Sequence, residues 1–211
     1  MTVDERIARI QHVMDSIEPG KITLLTGSNG SGKSLVRKQV CFRLSRKIPG
    51  SNYAKLTADV SMQRRTESNP EWGALATIMH DDGETPTSCS TYHLITTMMN
   101  TFLNEDGSKR YLIIDEPEIG MSKESQLGLM QYLNTKIDDI LKYTYGLLVI
   151  THSDVIVNAL KDRAVFLNMD TDCTADEWLN REIIPVDLEK LENESYDLYR
   201  AINDYSKKNR E

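Results

Sequence analysis

Eight consecutive residues, Gly27-Ser28-Asn29-Gly30-Ser31-Gly32-Lys33-Ser34, spell GxxxxGK[ST]. The glycines let the backbone curl until successive N–H groups point at one anion. A helix starting at Lys33 would turn its positive end toward the same anion. Lys33 can reach the β- and γ-phosphates and Ser34 can ligate Mg²⁺, and Leu35 closes the set of phosphate-binding candidates. A second group, Tyr111-Leu112-Ile113-Ile114-Asp115-Glu116-Pro117-Glu118, is an apolar run ending in carboxylates. Asp115 is suited to hold Mg²⁺, directly or through water, and Glu116 to take a proton from attacking water. The third group, Leu147-Leu148-Val149-Ile150-Thr151-His152-Ser153, ends another apolar run in polar side chains. A histidine there can touch the γ-phosphate or the water.

These groups need elements that deliver them to one edge. Ile22 to Thr26 reads as a buried strand before the glycine turn, and a helix follows from Lys33 to Lys47 with Val36, Val40 and Leu44 on one face. Ile7, Ile10, Val13, Met14 and Ile17 mark an amphipathic helix over Val3 to Ile17, which Pro19-Gly20 breaks. Further strands are expected at Ala54 to Met62, Tyr111 to Ile114, Gly146 to Ile150 and Ala164 to Asn168. Further helices are expected at Tyr92 to Leu103, across Leu127 to Ile140 with Ser122 as N-cap, and at Val155 to Leu160. Strands alternating with helices imply an α/β fold with a mostly parallel sheet flanked by helices. Residues 64 to 91 are the least regular stretch, with a short helix possible over Trp72 to Met79. Asp170 to Arg200 holds ten acids against three bases. The expected organisation is a catalytic domain over residues 1–170 and an acidic helical appendage over 171–211.

The chain has 211 residues and a formal charge of −7, from 25 Lys+Arg against 32 Asp+Glu. Such a balance disfavours coating a polyanion by bulk charge. Its longest apolar runs fall far short of the roughly 20 residues of a membrane helix, and Met1 to His12 has no apolar core of a secretory signal. Three scattered cysteines suggest neither a disulfide framework nor a metal knuckle, and point to a cytoplasmic setting. Arg37, Lys38, Arg43, Arg46 and Lys47 form a basic run on one helix. It reads as a solvated face, with docking of an acidic partner or nucleic acid the lesser alternative.

The stretch from Ile17 through Ser34, the Ile114-Asp115-Glu116-Pro117-Glu118 block and Thr151-His152-Ser153 together resemble the ABC-type P-loop ATPase family. The resemblance is nearest to the heads of SMC, RecF and OLD-like proteins, in a small stand-alone AAA/ABC-like form. It covers about residues 17 to 170 and implies a P-loop NTPase sheet with ATP and Mg²⁺ as cofactors. It implies Glu116 as catalytic base and His152 as switch histidine, with Gln63 beside Ser34 and Asp115 watching the metal. It further implies ATP shared between two head-to-tail copies.

The sequence departs from the family pattern in several places. The Leu-Ser-Gly-Gly-Gln signature is missing; Thr87-Ser88-Cys89-Ser90-Thr91 is the stand-in by position, with an ordinary N-cap at Ser90 as the alternative. The aspartate expected after the Asp-Glu pair falls at Ser122, and no aromatic precedes Lys21 to stack on adenine. Only 54 residues separate Lys33 from Thr87, so the helical subdomain must be reduced. The expected function is Mg-dependent ATP hydrolysis driving a conformational or dimerisation switch on a partner protein or DNA. A nucleotide-gated module with vestigial hydrolysis is the alternative, and a P-loop kinase a further one.

Overall fold

The computed structural model describes residues 3–18, 20–47, 57–61, 86–104, 110–194, 196–197 and 200. Along the chain run α1 (Val3–Asp15), β1 (Ile22–Thr26), α2 (Lys33–Lys47), β2 (Thr57–Ser61), α3 (Thr87–Asn104), β3 (Arg110–Asp115), α4 (Lys123–Tyr143), β4 (Thr144–Ile150), α5 (Asp154–Leu160), β5 (Ala164–Asn168) and α6 (Ala175–Leu179). The five strands form one sheet in the order β2-β3-β4-β1-β5, and every neighbouring pair is parallel. Parallel neighbours require crossovers, so each strand exits at the same edge and the helices must cover both faces.

Alternation along the strands divides the core accordingly. Ile22 and Leu24 of β1, Leu112 and Ile114 of β3, and Leu147 and Val149 of β4 face α3, α4, α5 and α6, among Ile95, Met130, Leu133, Ile137, Ile156 and Trp178. Leu25, Ile113, Leu148 and Ile150 face the other way, against Ile10, Val13 and Met14 of α1 and Val36 and Val40 of α2. Strands that are apolar on both faces belong in the middle of such a sandwich. The Tyr111 phenol, buried in the second layer, is pushed up to about 12 by its loss of solvent.

Most elements fall where periodicity places them. Ser122 caps α4 by accepting the Ser125 N–H at 3.3 Å, which is why an aspartate is dispensable there as a structural element. One element differs. Ser90 is no N-cap, because α3 already begins at Thr87, with the Pro86 carbonyl accepting from Cys89 at 2.8 Å and from Ser90 at 3.2 Å. Proline at a helix entrance loses no hydrogen bond, and its fixed φ suits the turn. Thr87 to Thr91 therefore form the opening of a helix. Helix α6 is an addition to the expected elements: a capping box between Thr174 and Glu177 starts it, and its Ala175 and Trp178 sit in the first core layer. The basic run divides too, for Arg37 is buried while Lys38 is exposed. Gln63, the Trp72 to Met79 helix, most of residues 64 to 91 and most of the expected helix after Ser195 lie outside the described residues, as do the side chains of Arg43, Arg46 and Lys47.

Candidate nucleotide site

The loop between β1 and α2 is built on glycine conformations. Gly27, Gly30 and Gly32 have φ of +148°, +75° and +106°, values that L side chains rarely adopt. Gly27 is also enclosed: a Cβ would meet Met169 Cβ at 2.7 Å and Ser31 Oγ at 2.8 Å. The curl leaves the amides of Asn29, Gly30, Gly32, Lys33 and Ser34 without an acceptor among the described residues. Five N–H groups around one turn, at the start of a 15-residue helix, form an anion-binding concavity.

Lys33 bridges this loop. Its Nζ donates to the carbonyls of Gly27 at 2.9 Å and Ser28 at 2.8 Å. Burial lowers its pKa below the usual lysine value, while Glu116, Asp170, Asp115 and Glu118 pull it back up. Ser34, by contrast, is exposed and Leu35 half-buried, so the Ser34 hydroxyl is accessible.

Because β4 lies between β1 and β3, three strand ends converge beside the loop. Asp115 ends β3 and is nearly enclosed, with Arg37 Nη1 donating to its Oδ2 at 2.8 Å. Glu116 follows at φ +51°, and it is the one non-glycine residue with positive φ among those described. That conformation costs roughly 1–2 kcal/mol for an L-residue. Its amide is fixed by donating to Ile150 O at 2.8 Å, across to the end of β4. The turn aims the Glu116 carboxylate at the next loop, where His152 Nε2 lies 3.4 Å from Glu116 Oε1.

Glu118 closes the same corner. Its Oε1 accepts the His152 backbone N–H at 2.6 Å, and its Oε2 is buried without a hydrogen-bond partner among the described residues. Ser153 then caps α5 by accepting from Val155 and Ile156, and its hydroxyl donates to Gln126 of α4. The histidine is thus held at both its own backbone and its following residue. Together the geometry brings Gly27 to Leu35, Asp115, Glu116 and His152 to one edge.

Four contributors were not anticipated. Asp170, just past β5, accepts the Ser28 N–H at 2.6 Å and the Ser28 hydroxyl at 2.8 Å, clamping the base of the loop from the far side. Its sequence signal is only that it follows an edge-facing strand end. From α1, Arg6 donates to Gly30 O at 3.3 Å, and Arg9 donates to the carbonyls of Asn168 and Thr171 and to Asp172. Arg37 stands four residues after Lys33, one turn along the same helix face, a spacing that marks it as inward-facing. Removing the clamp should show in binding: Asp170→Ala is expected to weaken nucleotide affinity roughly three- to ten-fold through a looser loop, as the loss of charge-assisted bonds at a partly exposed site implies. Asp170→Asn should fall between the two, and titration calorimetry reads both.

This sheet order, with its glycine loop between β1 and α2, is an α/β P-loop NTPase fold. The chain matches no family model and no curated protein. Among solved structures it is similar to C. elegans PCH-2, at 16% identity over 79% of this chain and 41% of that one, with a TM-score of 0.39. It is also similar to the Aeropyrum pernix ORC2 protein in its ADPNP–ADP complexes, at 14% identity over 78% of this chain and 46% of that one, with a TM-score of 0.36. The chain spans less than half the length of either. No helix among the described residues is long and apolar enough to cross a membrane.

Proposed function

We propose that the chain binds Mg-ATP and hydrolyses it, and that the ATP-bound form pairs two copies head to tail to act on a partner protein or on DNA. The observation that carries the catalytic half is the convergence of Lys33 and five amides with no acceptor among the described residues on one side with Glu116 and His152 on the other. The amides and the Lys33 ammonium take the phosphate charge. Glu116 accepts the proton of the water that attacks the γ-phosphate, and His152, 3.4 Å from its Oε1, orients that carboxylate and the transferring group. Ser34 and Asp115 would hold Mg²⁺, supplying a hydroxyl and a carboxylate, all-oxygen donors that suit that ion. An ion held there would supply positive charge against that developing on the phosphate oxygens.

ABC-like pairing is supported by the residues that resemble that family and by the opening of α3, where half-buried Ser88 and Ser90 would meet the γ-phosphate of the facing copy while Thr91 is buried in the fold. A helix start offers amides to an anion as the missing signature would. Phosphate release from ATP tests the catalytic reading. Slow, Mg-dependent formation of ADP and phosphate, abolished by chelator, is expected. ATP binding without any release would leave the nucleotide-gated module, and phosphate appearing on an added nucleoside would establish a kinase.

A further inference from the structure

The side chain that the proposed mechanism leaves without a role is Arg37. Arg37 and Asp115 make a 2.8 Å ion pair with side-chain exposures of 3% and 9%. A guanidinium cannot shed its charge on burial, so its place inside the protein depends on carboxylate company. That company is the carboxylate assigned above to the metal. Arg37 reaches it from the helix that also carries Lys33 and Ser34, so one helix face presents two cations and a hydroxyl to the same corner.

We propose that Arg37 is a positioning residue acting as the built-in counter-cation of Asp115, and that a divalent ion must compete with it for the Oδ2 oxygen. Arg37 thereby sets the Mg²⁺ concentration at which the site loads. This rests on the reading of Asp115 as the metal carboxylate. That ion pair must open before the Oδ2 oxygen can face a metal. The guanidinium also subtracts one unit of negative charge from the field that draws in a dication. Arg37 itself touches neither nucleotide nor water in this scheme.

Two measurements on the same four proteins test it: wild type, Arg37→Lys, Arg37→Met, and Arg37→Met combined with Asp115→Asn. The first is thermal unfolding with and without Mg²⁺ alone; the second is ATP affinity by calorimetry as a function of Mg²⁺, including a chelated control. Arg37→Met should unfold at a lower temperature than wild type and recover part of the loss when Mg²⁺ is added, whereas wild type should not respond. Its half-saturating Mg²⁺ for ATP binding should fall by roughly tenfold, the order expected when a unit charge at contact distance is removed from a partly screened site. Arg37→Lys, which keeps the charge and loses the fork, should shift in the same direction by less, and it carries the test if Arg37→Met does not fold. The double variant should lose the Mg²⁺ response.

A Mg²⁺ midpoint that stays the same or rises in Arg37→Met and Arg37→Lys would overturn the inference and leave a purely structural pair. Failure of wild type to bind ATP in any condition would overturn the proposed function instead, and the thermal response to Mg²⁺ alone would still decide the role of Arg37.

Discussion

Glu116→Gln should reduce ATP hydrolysis by roughly 10²–10⁴-fold, the usual contribution of a general base. The amide keeps the size and hydrogen-bonding reach of the carboxylate but cannot accept the proton. Binding should survive, because Lys33, Ser34 and Asp115 are untouched and the Glu116 amide still donates to Ile150 O. The φ of +51° at this position is as available to glutamine as to glutamate, so the fold has no reason to shift. The variant should therefore accumulate the ATP-bound state. Under the proposed pairing, light scattering gives a mass near twice 24.0 kDa with Mg-ATP and the monomer mass without it. A variant that binds ATP, hydrolyses none and stays monomeric at high concentration would remove the head-to-tail pair while leaving the phosphate site intact.

Lys33→Ala should abolish measurable ATP binding. The ammonium is held over the loop by the carbonyls of Gly27 and Ser28, within the curl of loop amides. Alanine removes the charge that offsets the β/γ-phosphates and leaves four nearby carboxylates, those of Glu116, Asp170, Asp115 and Glu118, to repel the polyphosphate. Stability should hold or rise. Burial lowers the Lys33 pKa, so the charged form is disfavoured by folding below the unfolded-state value, and alanine carries no such penalty. Calorimetry and a melting curve on the same sample check both halves; near-native affinity would remove Lys33 from the phosphate site.

Much of this site was legible because its residues are contiguous. GxxxxGK[ST] needs only eight positions in a row, and an apolar run ending in Asp-Glu or Thr-His states its own location, since parallel strands share an exit edge. Helix α2 and strand β5 were legible to the residue for the same reason: their apolar positions repeat at the right period, and their breaks are sharp. What the sequence hid depends on long-range placement. Arg37 sits in a basic run and looks solvated until the helix face it shares with Val36 and Val40 is counted against a sheet. Asp170 looks like the first acid of an acidic tail, yet its partner is Ser28, brought close only because β5 pairs with β1. The start of α3 was missed because the hydroxyl-rich Thr87 to Thr91 favours caps as readily as first turns, and Pro86 settled it.

Helix α1 has a practical consequence. Ile10, Val13 and Met14 close the second core layer, Ile10 Cδ1 lies 3.1 Å from where a Cβ on Gly32 would stand, and Arg6 and Arg9 grip Gly30 and the exit of β5. The segment before the first strand is therefore a splint on the phosphate loop. Trimming the chain at Ser16 to obtain a minimal catalytic core would bare an apolar face and unfasten the loop in one cut. Fluorescent probes or fusion partners attached to this helix on the side of Arg6 and Arg9 would report on, and disturb, the nucleotide site itself.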